Sequence, residues 1–263
     1  MTRTVQQLFN LEGRTALVTG GSRGLGLQLA HALGEAGARI MLSSRKAGDL
    51  EEAAADLQAA GIDARWIAAD LSKEEDIRRL ADQTMERMGD IHVLVNNAGA
   101  AWGAPAEDHP VEAWDKVMNL NIRGYFILSQ HVAKRSMIPR QQGRIINIAS
   151  IAGLGGNPAE MNTVAYNTSK GAVITFTQAL ACEWGKYGIN VNAICPGFFP
   201  SKMTRGTLER IGEDELAAHA PLRRLGDDED LKGTALLFAS DAGKHVTGQW
   251  LAVDGGVSVV TGG

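Results

Sequence analysis

The chain has 263 residues, of which 44% are hydrophobic and 21% charged, and its formal net charge at pH 7 is −4. This length fits one α/β domain built around a single sheet. The mildly acidic balance and the lack of any Lys/Arg block argue against nucleic acid or an anionic membrane as the main partner. A small-molecule ligand is the class of partner that remains.

Cysteine usage and the N-terminal sequence bear on the compartment. The two cysteines, Cys182 and Cys195, lack the CxxC spacing of a disulfide framework or a zinc site, so we expect no metal and a reducing environment. The N-terminal MTRTVQQLFN has no apolar signal core, and no segment reaches the roughly 18 apolar residues that a spanning helix needs. We therefore expect a cytoplasmic protein that does not enter a membrane.

From residue 14 onward, short apolar runs alternate with longer stretches of helical period. The strand candidates are residues 15–19, 39–43, 64–69, 92–96, 144–149, 190–194 and 249–253, and the helix candidates include 24–36, 73–88, 111–137, 165–186 and 228–240. Strand–helix alternation implies right-handed crossovers between parallel strands. The sequence thus predicts a single-domain, Rossmann-type α/β fold, a doubly wound parallel sheet of about seven strands with helices on both faces.

Two segments stand outside this alternation. Residues 1–10 are expected to be a tail. Residues 196–227 carry no strand signal but mix apolar and polar side chains, and their place in the chain predicts a lid over the substrate site.

The stretch TGGSRGLG, residues 19–26, follows the first strand and opens the first helix. Glycine at such a turn permits positive φ and lets the backbone approach a pyrophosphate at the helix N-terminus. Gly20, Gly24 and Gly26 are the positions that this function needs. A ligand-free tight turn would use the same residues, and the spacing differs from the common GxGxxG fingerprint.

Three further motifs lie along the chain. Asp70-Leu71 closes the third strand candidate and NNAG, residues 96–99, closes the fourth. YNTSK places Tyr166 and Lys170 four residues apart, on one face of a helix. Each motif alone also fits a plain turn or a solvated helix face.

Taken together and in this order, TGxxxGxG, NNAG, a serine after the fifth strand and YxxxK resemble the short-chain dehydrogenase/reductase family, over roughly residues 11–256. The PG turn at Pro196-Gly197 and the late VDGG also fit. Within the family the chain resembles gluconate 5-dehydrogenase-like and 3-oxoacyl-[acyl-carrier-protein] reductase-like members. The resemblance implies hydride transfer between a nicotinamide cofactor and a ketone or secondary alcohol.

The resemblance also assigns catalytic roles. Tyr166 matches the general acid/base, Ser150 the serine that hydrogen-bonds the carbonyl oxygen, and Lys170 the lysine that also binds the nicotinamide ribose. Because a cation one helical turn away favours phenolate, we expect Lys170 to lower the pKa of Tyr166. Asn121 matches the asparagine that anchors a water beside the lysine, with Asn119 as the rival position.

Cofactor contacts are carried over from the family in the same way, and they fall on the glycine loop, on the ends of three strands, on the catalytic helix and on the PG turn. They are Gly20, Ser22, Arg23, Gly24, Leu25, Gly26, Ser44, Arg45, Asp70, Leu71, Asn97, Ala98, Gly99, Tyr166, Lys170, Pro196, Gly197 and Ser201.

The chain departs from the family in two places. The loop between Ser150 and Tyr166 is a few residues longer than in many members, which predicts an enlarged substrate wall. Where the family has a threonine that holds the carboxamide, Phe198-Phe199-Pro200 leads to Ser201, with Thr204 as the alternative.

The end of the second strand predicts which nicotinamide cofactor binds. NAD-preferring members place an acid there to bind the ribose 2′-OH, whereas this chain has Ser44 followed by Arg45. Guanidinium pairs with a 2′-phosphate, and Arg23 in the glycine loop adds a second cation. We therefore predict NADP(H), with a site that accepts both cofactors as the alternative.

The sequence predicts an NADP(H)-dependent enzyme whose substrate is a sugar acid or a 3-oxoacyl thioester. A non-catalytic NADP(H)-binding redox-sensing module is the alternative, although it would be expected to lack the catalytic tyrosine or lysine. By resemblance, the long helices 111–137 and 165–186 and the last strand pair subunits into a homotetramer.

Overall fold

The computed structural model describes residues 2–260, so Met1 and the last three residues of the predicted domain lie outside it. Its centre is a seven-stranded sheet with the strand order β3-β2-β1-β4-β5-β6-β7. Every adjacent pair is parallel. The strands are Thr15–Thr19 (β1), Arg39–Ser44 (β2), Ala64–Ala68 (β3), Val93–Asn96 (β4), Gly143–Ile148 (β5), Ile189–Pro196 (β6) and Trp250–Val253 (β7). The predicted doubly wound α/β fold is confirmed, and the order reverses between β1 and β4.

The helices connect these strands across both faces of the sheet. They are Val5–Phe9 (α1), Gly24–Glu35 (α2), Ala47–Ala59 (α3), Glu74–Met88 (α4), Val111–Met118 (α5), Gly124–Val132 (α6), Ile138–Arg140 (α7), Val164–Trp184 (α8), Arg205–Ile211 (α9), Glu213–His219 (α10) and Lys232–Ala239 (α11).

Both faces of the sheet are buried, because neighbouring residues of one strand point to opposite sides. On β1, Val18 packs in the cluster that includes Leu29 of α2 and Phe238 of α11. Its neighbour Leu17 packs in the cluster that includes Leu80 of α4. Burial on both faces is why the central strands are continuous apolar runs rather than alternating ones.

The predicted helix 111–137 is interrupted by wider turns. Two π-helical segments, Asn119–Arg123 and Ala133–Met137, separate α5, α6 and α7 within one helical stretch. Each π turn holds one residue more than an α turn, a feature common at functional sites. The first of them contains both asparagines considered for catalysis.

The predicted helix 228–240 begins four residues late, at Lys232. The carboxylate of Asp227 accepts the N–H of Glu229, and Asp230 accepts the N–H of Asp227 and the Arg224 guanidinium. Short acidic side chains that bond nearby backbone form turns in place of a first helical turn.

The two segments outside the alternation are partly helical. The N-terminal stretch contains α1, which Thr4 caps and which has no buried residue. Residues 196–227 contain α9 and α10, neither of which we predicted. Phe199 anchors this segment in the core, where it is 3% exposed. Within residues 2–260, no helix combines the length and the apolar character needed to cross a bilayer.

Candidate active site

The glycine loop has the backbone that a phosphate cradle requires. Gly20 and Gly24 adopt φ of 65° and 53°, and a side chain on Gly26 would overlap the carbonyl oxygen of Gly20. Arg23, the residue before α2, does not cap the helix with its side chain, and α2 begins with Gly24, Leu25 and Gly26. Helix N-termini of this kind bind anionic groups.

Thr19 fixes the glycine loop to the NNAG segment. Its Oγ1 accepts the N–H groups of Asn97 at 2.9 Å and Ala98 at 3.2 Å and donates to the Val95 carbonyl at 3.1 Å. Asn97 returns a bond from Nδ2 to the Thr19 carbonyl at 2.8 Å. The sequence prediction missed Thr19 as a site residue, although it is the first letter of TGGSRGLG.

The end of β2 carries the features that a phosphorylated ribose needs. The Ser44 Oγ is buried without a hydrogen-bond partner, and Arg45 beside it is exposed. Arg23 contacts Asp49, with Nη1 and Oδ2 3.2 Å apart and both side chains partly exposed. An orphaned hydroxyl beside two guanidinium groups fits a 2′-phosphate.

Asp70 lies at the neighbouring strand end. Its Oδ1 accepts bonds from the Ser72 backbone at 3.1 Å and the Ser72 hydroxyl at 2.8 Å. Burial alone would raise the pKa of Asp70, but these bonds and the charges of Arg45 and Lys73 hold it below its usual value. Asp70 is therefore an ionised acceptor at neutral pH.

The π-helical segment separates the roles of its two asparagines. Asn121 is fully buried; its Oδ1 accepts the Ala100 N–H at 2.8 Å, and its Nδ2 donates to the Ala100 carbonyl and to the Ser169 Oγ, each at 2.9 Å. Asn119 instead donates to the Ser72 carbonyl at 3.0 Å. Asn121 is thus the asparagine that joins the NNAG loop to α8.

Lys170 lies close to Tyr166 and is buried. It is 3% exposed, and its Nζ donates to the Ile148 carbonyl at 2.7 Å. The Nζ lies 5.6 Å from the ring centroid of Tyr166 and 5.8 Å from that of Tyr125. Burial lowers the pKa of Lys170 to about 8.

Ser150 and Tyr166 lie near each other at the edge where β5 ends. Burial raises the pKa of the Tyr166 phenol, and the nearby Ser150 side chain offsets only part of this shift. The direction is opposite to the one we expected from Lys170, whose ammonium is directed at the Ile148 carbonyl instead. The phenol therefore holds its proton throughout the neutral range.

The segment after β6 approaches the glycine loop from the opposite side. A Cβ on Gly24 would lie 3.8 Å from the Cβ of Ser201. The Thr204 hydroxyl instead donates a hydrogen bond to the Phe199 carbonyl at 2.7 Å. Gly197 lies tightly against Asp254 and donates to the Val253 carbonyl at 3.0 Å. Of the two residues that we considered, Ser201 is the one whose Cβ approaches the glycine loop, while its Oγ lies 3.0 Å from the Thr204 Oγ1.

The long loop before α8 joins the NNAG loop to form one wall. The Ala104 N–H donates to the Asn162 carbonyl at 2.9 Å, and Asn157 donates to the Thr163 hydroxyl at 3.0 Å. Trp102, on this wall, is 45% exposed. Phe199 does not line this wall, because it is buried against Gly226.

Comparison with known proteins adds the family. Residues 14–211 match the family model described as short chain dehydrogenase. The chain is 38% identical over 257 residues to a gluconate 5-dehydrogenase from Gluconobacter oxydans, covering 96% of this chain and 97% of that protein. It is 41% identical over 256 residues to a rhamnolipids biosynthesis 3-oxoacyl-[acyl-carrier-protein] reductase from Pseudomonas aeruginosa, covering 94% and 97%.

A solved structure is similar over the same length. The gluconate 5-dehydrogenase from Burkholderia cenocepacia, in complex with NADP and tartrate, superposes with a TM-score of 0.92 at 35% identity, covering 98% of this chain and 100% of that one. The family match and the similarity to these relatives show that the chain belongs to the short-chain dehydrogenase/reductase family and is an oxidoreductase acting on CH–OH groups.

Proposed function

We propose that the protein interconverts a ketone and a secondary alcohol with NADP(H) as its hydride carrier. The observation that carries this proposal is the contact of Ser150 with Tyr166, with Lys170 behind them, at the sheet edge that also holds the glycine loop. In an open α/β sheet, ligands bind beyond the carboxyl ends of the strands, beside the point where the strand order reverses.

The cradle fits the cofactor at each of its parts. Gly20, Gly24 and Gly26 leave room for the pyrophosphate at the α2 N-terminus. A side chain on Gly20 or Gly26 would collide with Asn97 or with the loop backbone, and Gly24 has a positive φ. Ser44, Arg45 and Arg23 would hold the 2′-phosphate. Asp70 would contact the adenine, Lys170 the nicotinamide ribose and Ser201 the carboxamide.

The reduced nicotinamide supplies the hydride. Ser150 donates a hydrogen bond to the substrate carbonyl oxygen, which stabilises the negative charge that develops there. Tyr166 then gives its phenolic proton to that oxygen, and its raised pKa keeps the proton available. Lys170 places a positive charge behind the phenol, so the phenolate left by the transfer is stabilised. In the direction of oxidation, each of these proton transfers reverses.

The rim of the site favours a substrate with an apolar substituent. Trp102 lies two residues after Ala100, which Asn121 holds, and Met203 lies two residues after Ser201; both are largely exposed. A 3-oxoacyl thioester matches this rim. A sugar acid is the second candidate, because Lys202 and Arg205 are exposed on the same segment and carry the charge to bind a carboxylate.

The redox-sensing alternative is not favoured. It predicts loss of the catalytic tyrosine or lysine, whereas both are present and in contact distance of one another. We place residues 196–227, with α9 and α10, as the lid over the substrate.

We propose a cytoplasmic homotetramer without nucleic-acid or membrane partners. The support is exposed apolar side chains on the elements that the resemblance assigns to subunit contacts. Val111, Phe126 and Val164 are exposed on α5, α6 and α8, and Trp250 and Leu251 are exposed on the edge strand β7. Large exposed apolar patches mark interaction sites.

Activity is tested by NADPH oxidation with 5-ketogluconate, acetoacetyl and longer 3-oxoacyl thioesters, and bulky cyclic ketones. Tyr166→Phe is expected to lower kcat by about 10²–10⁴-fold, because the proton donor is lost, while NADPH binding persists. Tyr187→Phe, on the turn after α8, is the matched control and should keep full activity. Equal rates for wild type and Tyr166→Phe would contradict the proposed mechanism. Tight NADPH binding without turnover of any ketone would contradict the enzymatic proposal.

Cofactor selectivity is tested by the fluorescence of bound NADPH and NADH. Arg45→Glu is expected to raise the Kd of NADPH about tenfold or more, because a charge-assisted bond is replaced by repulsion, and to change that of NADH little. Arg87→Glu makes the same charge change on α4, away from the loop, and should affect neither. Equal wild-type affinity for the two cofactors would overturn the preference.

Assembly is tested by light scattering with the purified protein. Four chains of 28.0 kDa are expected, and Leu251→Lys should halve the assembly by charging β7 while leaving the helical contacts intact. A wild-type monomer at assay concentrations would contradict the tetramer.

A further inference from the structure

Tyr125 is a buried aromatic residue that contacts the site from behind and has no role in the sequence prediction. It lies on α6, four residues after Asn121, so the two side chains lie on one side of the helical stretch. Its side chain is among the largest fully buried ones, at 2% exposed. The Tyr125 hydroxyl lies 3.5 Å from the Ile148 carbonyl, the same oxygen that accepts the Lys170 ammonium.

Lys170 is therefore enclosed by two aromatic rings. The Tyr166 ring lies on the substrate side, at 5.6 Å from Nζ, and the Tyr125 ring on the core side, at 5.8 Å. A cation within about 6 Å of a ring centroid is attracted by the ring quadrupole, and more strongly where water is absent. The Tyr125 ring thus replaces part of the hydration that the Lys170 ammonium loses on burial, without a carboxylate nearby.

Other titratable neighbours supply little negative charge. Among the described residues, the groups that face Lys170 are Tyr125 on α6, Tyr166 on its own helix and Cys195 on β6. Burial raises the pKa of the Cys195 thiol to about 11, so it is neutral at physiological pH. Burial likewise raises the pKa of both tyrosines. The ring faces and the Ile148 carbonyl are then what hold the ammonium.

We propose that Tyr125 is a positioning residue for the reaction: its ring face, 5.8 Å from Nζ, and its hydroxyl, beside the Ile148 carbonyl, keep the Lys170 ammonium charged and aimed behind Tyr166. The proposal rests on the proposed function, because the ammonium matters through proton transfer and through the ribose. A residue that merely fills the core would affect stability alone.

A positioning role is distinguished from a purely space-filling role by changing the quadrupole of the ring at position 125 while keeping the shape of the ring. Tyr125 is replaced by Phe and, through site-specific incorporation, by 3,4,5-trifluorophenylalanine. Phe removes the hydroxyl but keeps the π face; the fluorinated ring keeps the shape and cancels the quadrupole. Trifluorophenylalanine at Phe238, a ring 3% exposed in the cluster on the opposite face of the sheet, is the matched control.

The readouts are the pH profile of kcat/KM for ketone reduction and, without substrate, the pH dependence of the NADPH Kd. We expect the decrease of kcat/KM at high pH, the alkaline limb of the profile, to follow loss of the Lys170 proton. We expect the fluorinated ring at position 125 to move that limb to lower pH by about half a unit, with NADPH affinity falling at the same lower pH. The Phe variant should retain most of the wild-type profile, and the Phe238 control should retain all of it.

An unchanged alkaline limb for the fluorinated Tyr125 variant would overturn the proposal, as would an equal shift in the Phe238 control. Failure of the proposed function looks different, because wild type would then show no NADPH affinity or no ketone reduction. Tyr125→Met, which removes the ring but keeps a flexible apolar side chain, gives a second test that uses ordinary mutagenesis. It should move the limb in the same direction as the fluorinated ring, and an unmoved limb would again contradict the proposal.

Discussion

The site depends on keeping one ammonium group inside the protein. Lys170 is almost wholly buried, and a charge removed from water is costly unless other groups replace its hydration. The Ile148 carbonyl provides that replacement at 2.7 Å. This oxygen lies at the carboxyl end of β5, the edge at which the strands also deliver the glycine loop and Ser150. The residue whose burial costs free energy, Lys170, is therefore the same residue that the proposed chemistry uses.

The rest of the fold supplies the rigidity that this arrangement needs. Asn96, at the end of β4, donates to Ser129 on α6 and to Asn147 on β5, and Asn147 donates to Thr177 on α8, all within 2.9 Å. Hydrogen bonds between buried side chains restrict the arrangement of the elements that they connect, although the Asn96 Oδ1 in this network has no hydrogen-bond partner. The helices α6 and α8, which carry Tyr125 and Lys170, are thus tied to β4 and β5 beneath the site.

The sequence was a good guide to the elements and to the motifs. Strands buried on both faces are continuous apolar runs, so their predicted bounds differ from those observed by at most two residues at either end. The glycine loop and the Tyr166–Lys170 pair could be predicted from local spacing, because the geometry of a turn or of a helix depends little on its surroundings. Asn121 could be preferred to Asn119 only through the resemblance, because nothing local marks a π turn.

What the sequence did not predict depends on contacts between distant segments. The pKa of Tyr166 is raised because burial outweighs the lowering by Ser150, while the Lys170 ammonium is directed at the Ile148 carbonyl. Arg23 contacts Asp49 from another helix, and Phe199 turns into the core beside Gly226. Tyr125 carries no local signal, since an aromatic residue in an amphipathic helix is ordinarily core. Side-chain direction in each of these cases is set by tertiary packing.

The buried charge of Lys170 is tested most directly by unfolding wild type and Lys170→Met in denaturant at pH values from 6 to 10.5. The folded pKa, about 8, lies below the ordinary value of 10.5, so between these values the unfolded chain binds more protons and stability rises with pH. Below pH 8 the penalty is complete, on the order of 3 kcal/mol, and Lys170→Met escapes it. We expect the variant to be the more stable protein at pH 7 and its advantage to vanish by pH 10.5. A free-energy difference between the two proteins that does not change across this range would contradict a lysine held charged against its burial.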